Sequence, residues 1–209
     1  MTGSSAHAQP APSELRAFLD AYRPATVLSR LKGDIPLELE LYRAEALLEL
    51  DRLHDAQACL ESIRSKLLGE QLAEAERLRS IMYLRAGRVD AAILGALRAA
   101  SITKDGDSKA AALGWSAVGL AHKGCLGMAE AHLREAIEMA PNASRLLQAQ
   151  ARMYLEADRR LEARDIYHRL RAQPQTWAQV HGTWGCSQIA YLFGEFDEAN
   201  RLAEEALQV

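Results

Sequence analysis

The sequence predicts an all-α fold, an α-solenoid of about five helix–turn–helix repeats. A short turn followed by an alanine-bearing helix recurs along the chain at intervals of 34 to 37 residues. An alanine recurs at the same place in each of these helices, at Ala56, Ala92, Ala129, Ala163 and Ala199. The composition agrees with this pattern, because 49% of the 209 residues are apolar and only 6% are aromatic. Small and branched aliphatic side chains suit helices that pack closely on helices, and a fixed period of this length is typical of solenoids.

The N-terminal part of the chain precedes the repeats. Residues 1–12 are predicted to form a flexible tail. They are not a secretory signal, since they contain neither the basic nor the apolar segment of one. Residues 13–36 predict capping helices or a degenerate repeat, with two short helices near 13–22 and 25–32. Ser13 suits a helix N-cap, and Pro24 and Pro36 each suit the start of a helix.

The solenoid itself is predicted over residues 37–209. Its units lie at about 37–69, 73–104, 110–142, 144–175 and 177–209. In each unit a run with helical apolar periodicity forms helix A, and helix B follows a turn. Every turn opens with a residue that tolerates the left-handed conformation or bonds locally to the backbone: Asp51, Gly87, Gly124, Asp158 and Gly194.

These residues resemble the tetratricopeptide repeat (TPR) family. The family has a small residue in the middle of helix A, which is matched by Ala44, Ser80, Ala117, Ala151 and Ser187. Pro141 and Pro174 fit the family's terminal proline in the third and fourth units, whereas the other three units lack it. The resemblance implies a right-handed superhelix whose A helices line a concave groove that binds a protein or peptide.

The resemblance also implies which side chains face the groove. They are Glu38, Leu41, Glu45, Leu48, Glu74, Arg77, Ile81, Leu84, Ala111, Gly114, Val118, Ala121, Arg145, Gln148, Arg152, Leu155, His181, Trp184, Gln188 and Tyr191. The groove is therefore expected to be acidic at its N-terminal end, small and apolar in the middle, and basic and aromatic at its C-terminal end. The Lys and Asn pattern with which some family members hold chaperone C-terminal carboxylates is absent from these positions.

The candidate partner-binding residues are those with polar, arginine or aromatic side chains in the groove: Arg77, Gln148, Arg152, Trp184, Gln188 and Tyr191. Trp, Tyr and Arg dominate the energetics of binding surfaces, which favours this patch. The alternative for Trp184 is that it packs between repeats, since Trp is highly buried on average.

The sequence offers no basis for catalysis, cofactor binding or metal binding. The phosphate-binding glycine motifs, the zinc-protease motif and the nucleophile-elbow motif are absent, and the His and Cys spacings do not match a metal site. Cys59, Cys125 and Cys186 are far apart in sequence, which favours structural thiols in a reducing, cytoplasmic setting. A formal net charge of −3 argues against nucleic acid as a partner, and no apolar run is long enough for membrane insertion.

The predicted function is that of a scaffold or adaptor which binds a partner in its groove. One alternative is a regulatory or sensor domain that forms part of a larger enzyme or transcription regulator, since solenoids usually close with a capping helix that this sequence does not show. A further alternative is self-association through the uncapped last helix.

Overall fold

The computed structural model describes residues 9–33 and 35–208, and all the regular structure in these ranges is helical. Most of the expected tail, residues 1–8, lies outside the described residues. The helices are α1 (Pro12–Asp20), α2 (Pro24–Arg30), α3 (Leu37–Glu49), α4 (Leu53–Ile63), α5 (Gly69–Arg85), α6 (Val89–Ile102), α7 (Gly106–His122), α8 (Leu126–Met139), α9 (Ser144–Glu156), α10 (Arg160–Arg171), α11 (Thr176–Leu192) and α12 (Phe196–Gln208). None of these described helices is both long and apolar enough to cross a lipid bilayer.

Helices α3 to α12 form five consecutive A–B pairs. Each A helix packs on the B helix that follows it, and neighbouring A helices such as α7 and α9 also contact each other. The helix α5 begins at Gly69, earlier than the expected unit boundary at residue 73. Sequential packing of helix pairs defines an α-solenoid, so the predicted fold class is confirmed.

The five turns within the pairs share one backbone geometry. Their first residues all have positive φ, from 54° at Asp51 and 57° at Asp158 to 79° at Gly194. In each turn the next residue's amide donates to the carbonyl five positions earlier, as Arg88 does to Tyr83 at 2.7 Å and Cys125 to Leu120 at 2.9 Å. This bond is the signature of the Schellman motif, which ends a helix and satisfies its last carbonyl groups. The recurring Gly and Asp therefore have a common structural cause.

Small side chains allow the helices to approach one another closely. The recurring alanines of helix B are buried, and Ala56, Ala92 and Ala129 are fully enclosed. Where helix B carries a bulky residue, the facing A helix supplies glycine. A methyl group added at Gly185 would overlap the ring of Tyr167, and one added at Gly182 would overlap the backbone of Arg171. The repeats are thus held together by complementary small and large residues.

The N-terminal helices pack onto the first pair and reach beyond it. Leu15 and Leu19 of α1 are buried against α2 and α3, and α1 also contacts α11 near the other end of the chain. The expected N-cap at Ser13 is wrong, because α1 begins one residue earlier at Pro12 and Ala11 is its N-cap. Proline suits this first position, since the amide it lacks would have no partner inside the helix.

Candidate functional site

A cavity of about 450 Å³ opens on the side of the solenoid formed by the A helices. We call it the central cavity, and its walls include Ile81, Trp115, Val118, Gln148, Arg152, Trp184 and Gln188. These residues come from α5, α7, α9 and α11. Glu49 of α3 and Tyr22, just after α1, complete the wall on the N-terminal side. The cavity therefore joins residues that are far apart in sequence.

The central cavity brings together four of the six candidate partner-binding residues. Gln148, Arg152, Trp184 and Gln188 line it, and Trp184 is 47% exposed rather than packed away between repeats. The other two candidates lie elsewhere.

Arg77 and Tyr191 have different surroundings from the cavity residues. Arg77 is only 5% exposed, and its guanidinium donates to Glu74 at 2.6 and 2.7 Å. Tyr191 lies outside the cavity wall, 64% exposed, with its ring 5.5 Å from that of Phe196 in an edge-to-face arrangement.

Two half-buried carboxylates, Glu49 and Glu156, pair with positive or imidazole groups of the central cavity. Glu156 accepts from His122 at 3.0 Å and pairs with Arg152 at 3.0 Å. Glu49 bonds to His181 at 3.0 Å, across 132 positions of sequence. Burial alone raises the pKa of Glu49, but the charge and hydrogen bond of His181 outweigh it and hold this pKa below its ordinary value. Both carboxylates and Arg152 thus have partners within the cavity wall, whereas Arg85 pairs with Asp51 outside it at 3.9 Å.

Trp115 is a buried aromatic side chain of the cavity wall. It is 7% exposed, and its indole Nε1 has no hydrogen-bond acceptor among the described residues. Most buried donors in proteins have a partner, so this one stands out.

A network of five charged residues closes the groove beside the central cavity. We call it the cross-groove cluster, and it consists of Arg16, Glu45, Glu74, Arg77 and Arg145. The guanidinium of Arg145 on α9 lies 3.3 Å from Glu45 on α3 and 3.3 Å from Glu74 on α5. Arg16 on α1 makes a two-pronged contact with Glu45 at 2.9 and 3.2 Å. The cluster therefore ties the fourth pair to the first and second.

The pKa shifts in the cross-groove cluster show that its charges stabilise one another. Burial raises the pKa of Glu74, but the charges of Arg77 and Arg145 outweigh burial and hold this pKa well below its ordinary value. In turn the Glu74 carboxylate raises the pKa of Arg145. Both groups are thus charged over the whole ordinary pH range.

These contacts explain why the groove is acidic at one end and basic at the other. The acidic residues at its N-terminal end and the basic ones at its C-terminal end meet, because Glu45 and Glu74 pair with Arg145 and Glu49 pairs with His181. Repeats in a solenoid ordinarily contact only their neighbours. The paired ends show that this groove is closed on itself by ion pairs.

Several cavity residues were missed by the sequence analysis. The polar residues Glu49, Arg85, His122 and Glu156 all line the cavity, and they occupy one recurring position at the end of helix A. Ionisable residues recurring at the helical position next to the groove were a signal that could have found them. Tyr22 carried no such signal, since its place in the wall depends on how α1 docks.

Two of the cysteine thiols, those of Cys59 and Cys186, have raised pKa values. Burial raises the pKa of Cys59 to about 12 and that of Cys186 to about 11. A reactive cysteine needs a lowered pKa, because the thiolate is the nucleophile. In the part of the chain that the structure describes, no group of three or more His, Cys, Asp or Glu side chains could hold a metal ion.

Comparison with known proteins gives a fold neighbour but no family. No protein-family model matches the chain, and no curated protein matches its sequence. A solved structure of a Rap protein complexed with Competence and Sporulation Factor is similar in fold, with a TM-score of 0.56 and 16% sequence identity. The match covers 93% of this chain and 61% of that one, so the chain spans about three fifths of the length of the Rap structure.

Proposed function

We propose that the chain is a TPR-like module which binds a short peptide or an extended protein segment in the central cavity and performs no catalysis. The observation that carries the proposal is the cavity itself, where Trp184, Trp115 and Arg152 converge in a space of about 450 Å³. A volume of this order is typical of ligand sites, and these residue types dominate binding surfaces. The similar structure is that of a Rap protein complexed with a factor, which also supports a binding function for this chain.

The chemistry of the wall favours a ligand rich in amides. The side-chain amides of Gln148 and Gln188 can both donate and accept, as a peptide backbone requires. Because Arg152 is already paired with Glu156, a highly charged ligand gains less in this cavity than an amide-rich one.

The proposal is tested with a fluorescent pool of random heptapeptides and the full chain. We expect the wild type to retain a subset of peptides, and Trp184→Ala combined with Arg152→Glu to retain none while its circular dichroism is unchanged. Tyr191→Ala combined with Arg134→Glu is the matched control, since both of these residues are exposed and lie outside the cavity wall. Equal retention by the cavity variant and the control variant would contradict the proposal.

A second candidate is a regulatory or sensor module, and the ion pairs that close the groove favour it. A ligand that enters between Glu49 and His181, or beside Arg145, changes contacts that join distant repeats. Such contacts convert binding into a change of the whole superhelix, which is how a repeat domain would gate an attached domain. X-ray scattering with and without a retained peptide tests this function. A radius of gyration that is the same in both states argues for a passive adaptor.

A further inference from the structure

The outer face of α12 is mostly apolar and largely exposed. It consists of the apolar residues Phe196, Ala203 and Leu207 and the polar residue Asn200, which lie at helical spacing and so share one side of the helix. Phe196 is 57% exposed and Leu207 is 85% exposed. The opposite side of α12 is occupied, because Ala199, Leu202 and Ala206 are buried.

The repeat shows what this face is shaped to receive. A shift of 36 residues superposes the outer face of α12 on Arg160, Arg164, Tyr167 and Arg171 of α10. All four contact α11 or its C-terminal cap: Arg160 donates to the Leu192 carbonyl at 3.3 Å, Arg164 lies 5.5 Å from the centre of the Phe193 ring, Tyr167 packs on Gly185, and Arg171 packs on Gly182. The outer face of α12 is therefore the surface on which a solenoid places its next A helix.

The residue at the centre of the contact surface is large on α10 and small on α12. On α10 the central residue is the bulky Tyr167, and the facing helix has Gly185. On α12 the equivalent residue is the small Ala203. A helix that docks on α12 therefore has room for a large apolar side chain where α11 has glycine.

The charge around this face is strongly negative. Residues 194–208 contain five carboxylates and one basic residue, Arg201, which is a net charge of −4 against −3 for the whole chain. Glu204 stands at the repeat position of His168, whose Nδ1 lies 3.7 Å from Cys186 of α11, so Glu204 faces the docked helix. Glu198 and Glu205 pair with Arg201, whereas Asp197 and Glu204 have no ion-pair partner in the described structure.

We propose that the outer face of α12 docks an amphipathic helix from another protein, with a large apolar residue over Ala203 and Lys or Arg beside Glu204. The occupant is a helix, because the repeat places its next A helix on this face. The helix has basic residues beside its apolar side, because the carboxylates that it meets have no ion-pair partner. A second copy of this chain fits less well. Two α12 helices paired about a two-fold axis bring their acidic borders together, which disfavours association. Leu207 borders both this face and the central cavity, whereas Ala203 and Glu204 lie outside the cavity wall, and the proposal does not rest on peptide binding there.

The test uses two synthetic helical peptides of about 18 residues, five turns of helix. Both carry the same Leu and Ala face, but one has Lys and Arg flanks and the other has Glu flanks. Binding of each to the full chain is measured by fluorescence anisotropy. We expect the basic peptide to bind at least about tenfold more tightly than the acidic one. Glu204→Lys is expected to remove that preference, and Ala203→Arg to abolish binding without loss of helical content.

Matched controls separate this surface from the rest of the molecule. Glu138→Gln changes an exposed, unpaired glutamate on α8 and is expected to leave the preference unchanged. Retention of heptapeptides in the central cavity is expected to survive Ala203→Arg, so the two sites fail independently. The proposal is overturned by equal binding of the two peptides, or by binding that survives Ala203→Arg. It is also overturned by a dimer that Ala203→Arg dissociates, or by a native chain whose own helix beyond residue 208 covers Ala203.

Discussion

Replacing Arg145 tests whether ion pairs close the groove. The variant Arg145→Met keeps the length of the side chain and removes its charge, which breaks contacts of 3.3 Å to both Glu45 and Glu74. Breaking a fully buried pair costs about 3–5 kcal/mol because it strands a charge. Glu45 and Glu74 each keep a second arginine, Arg16 or Arg77, and the Arg145 side chain is 30% exposed. We therefore expect a cost of about 1–2 kcal/mol, between the buried limit and the value of about 0–1 kcal/mol for exposed pairs.

The assay combines urea unfolding with X-ray scattering, and Arg201 supplies the control. Arg201 also pairs with two glutamates, Glu198 at 2.6 Å and Glu205 at 3.3 Å, but all three lie on α12. Arg201→Met is expected to cost less than about 1 kcal/mol and to leave the radius of gyration unchanged. Arg145→Met is expected to increase the radius of gyration, because the fourth pair is released from the first and second. Equal effects of the two variants would refute the idea that contact across the groove, rather than charge pairing in general, closes the solenoid.

Three further predictions concern the packing, the turns and the pH dependence. Ala129→Leu is expected to cost about 1–3 kcal/mol in urea unfolding, because Ala129 is fully enclosed and the added atoms overpack the contact between helices. Gly87→Ala is expected to cost about 1 kcal/mol at a φ of 71°, whereas Gly127→Ala, at an open position near the start of α8, is expected to stabilise by about 0.5 kcal/mol. In the folded chain the pKa of Glu74 lies below its ordinary value of 4.5, so on acidification the unfolded chain protonates this carboxylate first. The ionised Glu74 therefore contributes its full stabilisation above pH 4.5, and this stabilisation is lost as the pH falls through the pKa of the folded chain. Unfolding at pH 7 and pH 3 is expected to show a smaller acid loss in Glu74→Gln than in the wild type.

The fold could be predicted because its determinants are local and repeated. The glycines at Gly87, Gly124 and Gly194 indicate a left-handed backbone at the turns, and the structure has positive φ at each of them. The recurring alanines likewise predict close packing of the helices, and they are buried in the structure. Each repeat buries its apolar surface against its neighbours in sequence, so a pattern within about 36 residues is enough to specify the class of fold.

The site was predicted only in part because its closure is a long-range property. The resemblance to the TPR family implies that Gln148 and Trp184 face the groove, and both line the central cavity. Periodicity cannot say which distant repeats meet, since that depends on small rotations summed over several pairs. The contact of Arg145 with Glu45, 100 positions apart, follows from that sum. The same is true of α1, whose docking against α11 brings Tyr22 to His181.

The central cavity and the outer face of α12 are expected to respond differently to salt. The two carboxylates of the cavity are paired within its wall, Glu156 with His122 and Arg152 and Glu49 with His181, so a ligand there is held mainly by shape and amide contacts. Glu204 on α12 is unpaired, so a basic helix there is held partly by charge attraction. The screening length falls from about 10 Å at 0.1 M salt to about 3 Å at 1 M. Raising the salt is therefore expected to release the basic helical peptide while cavity-bound heptapeptides stay, and anisotropy titrations at the two salt concentrations measure both. Loss of both ligands together would show that the cavity charges are not satisfied by one another.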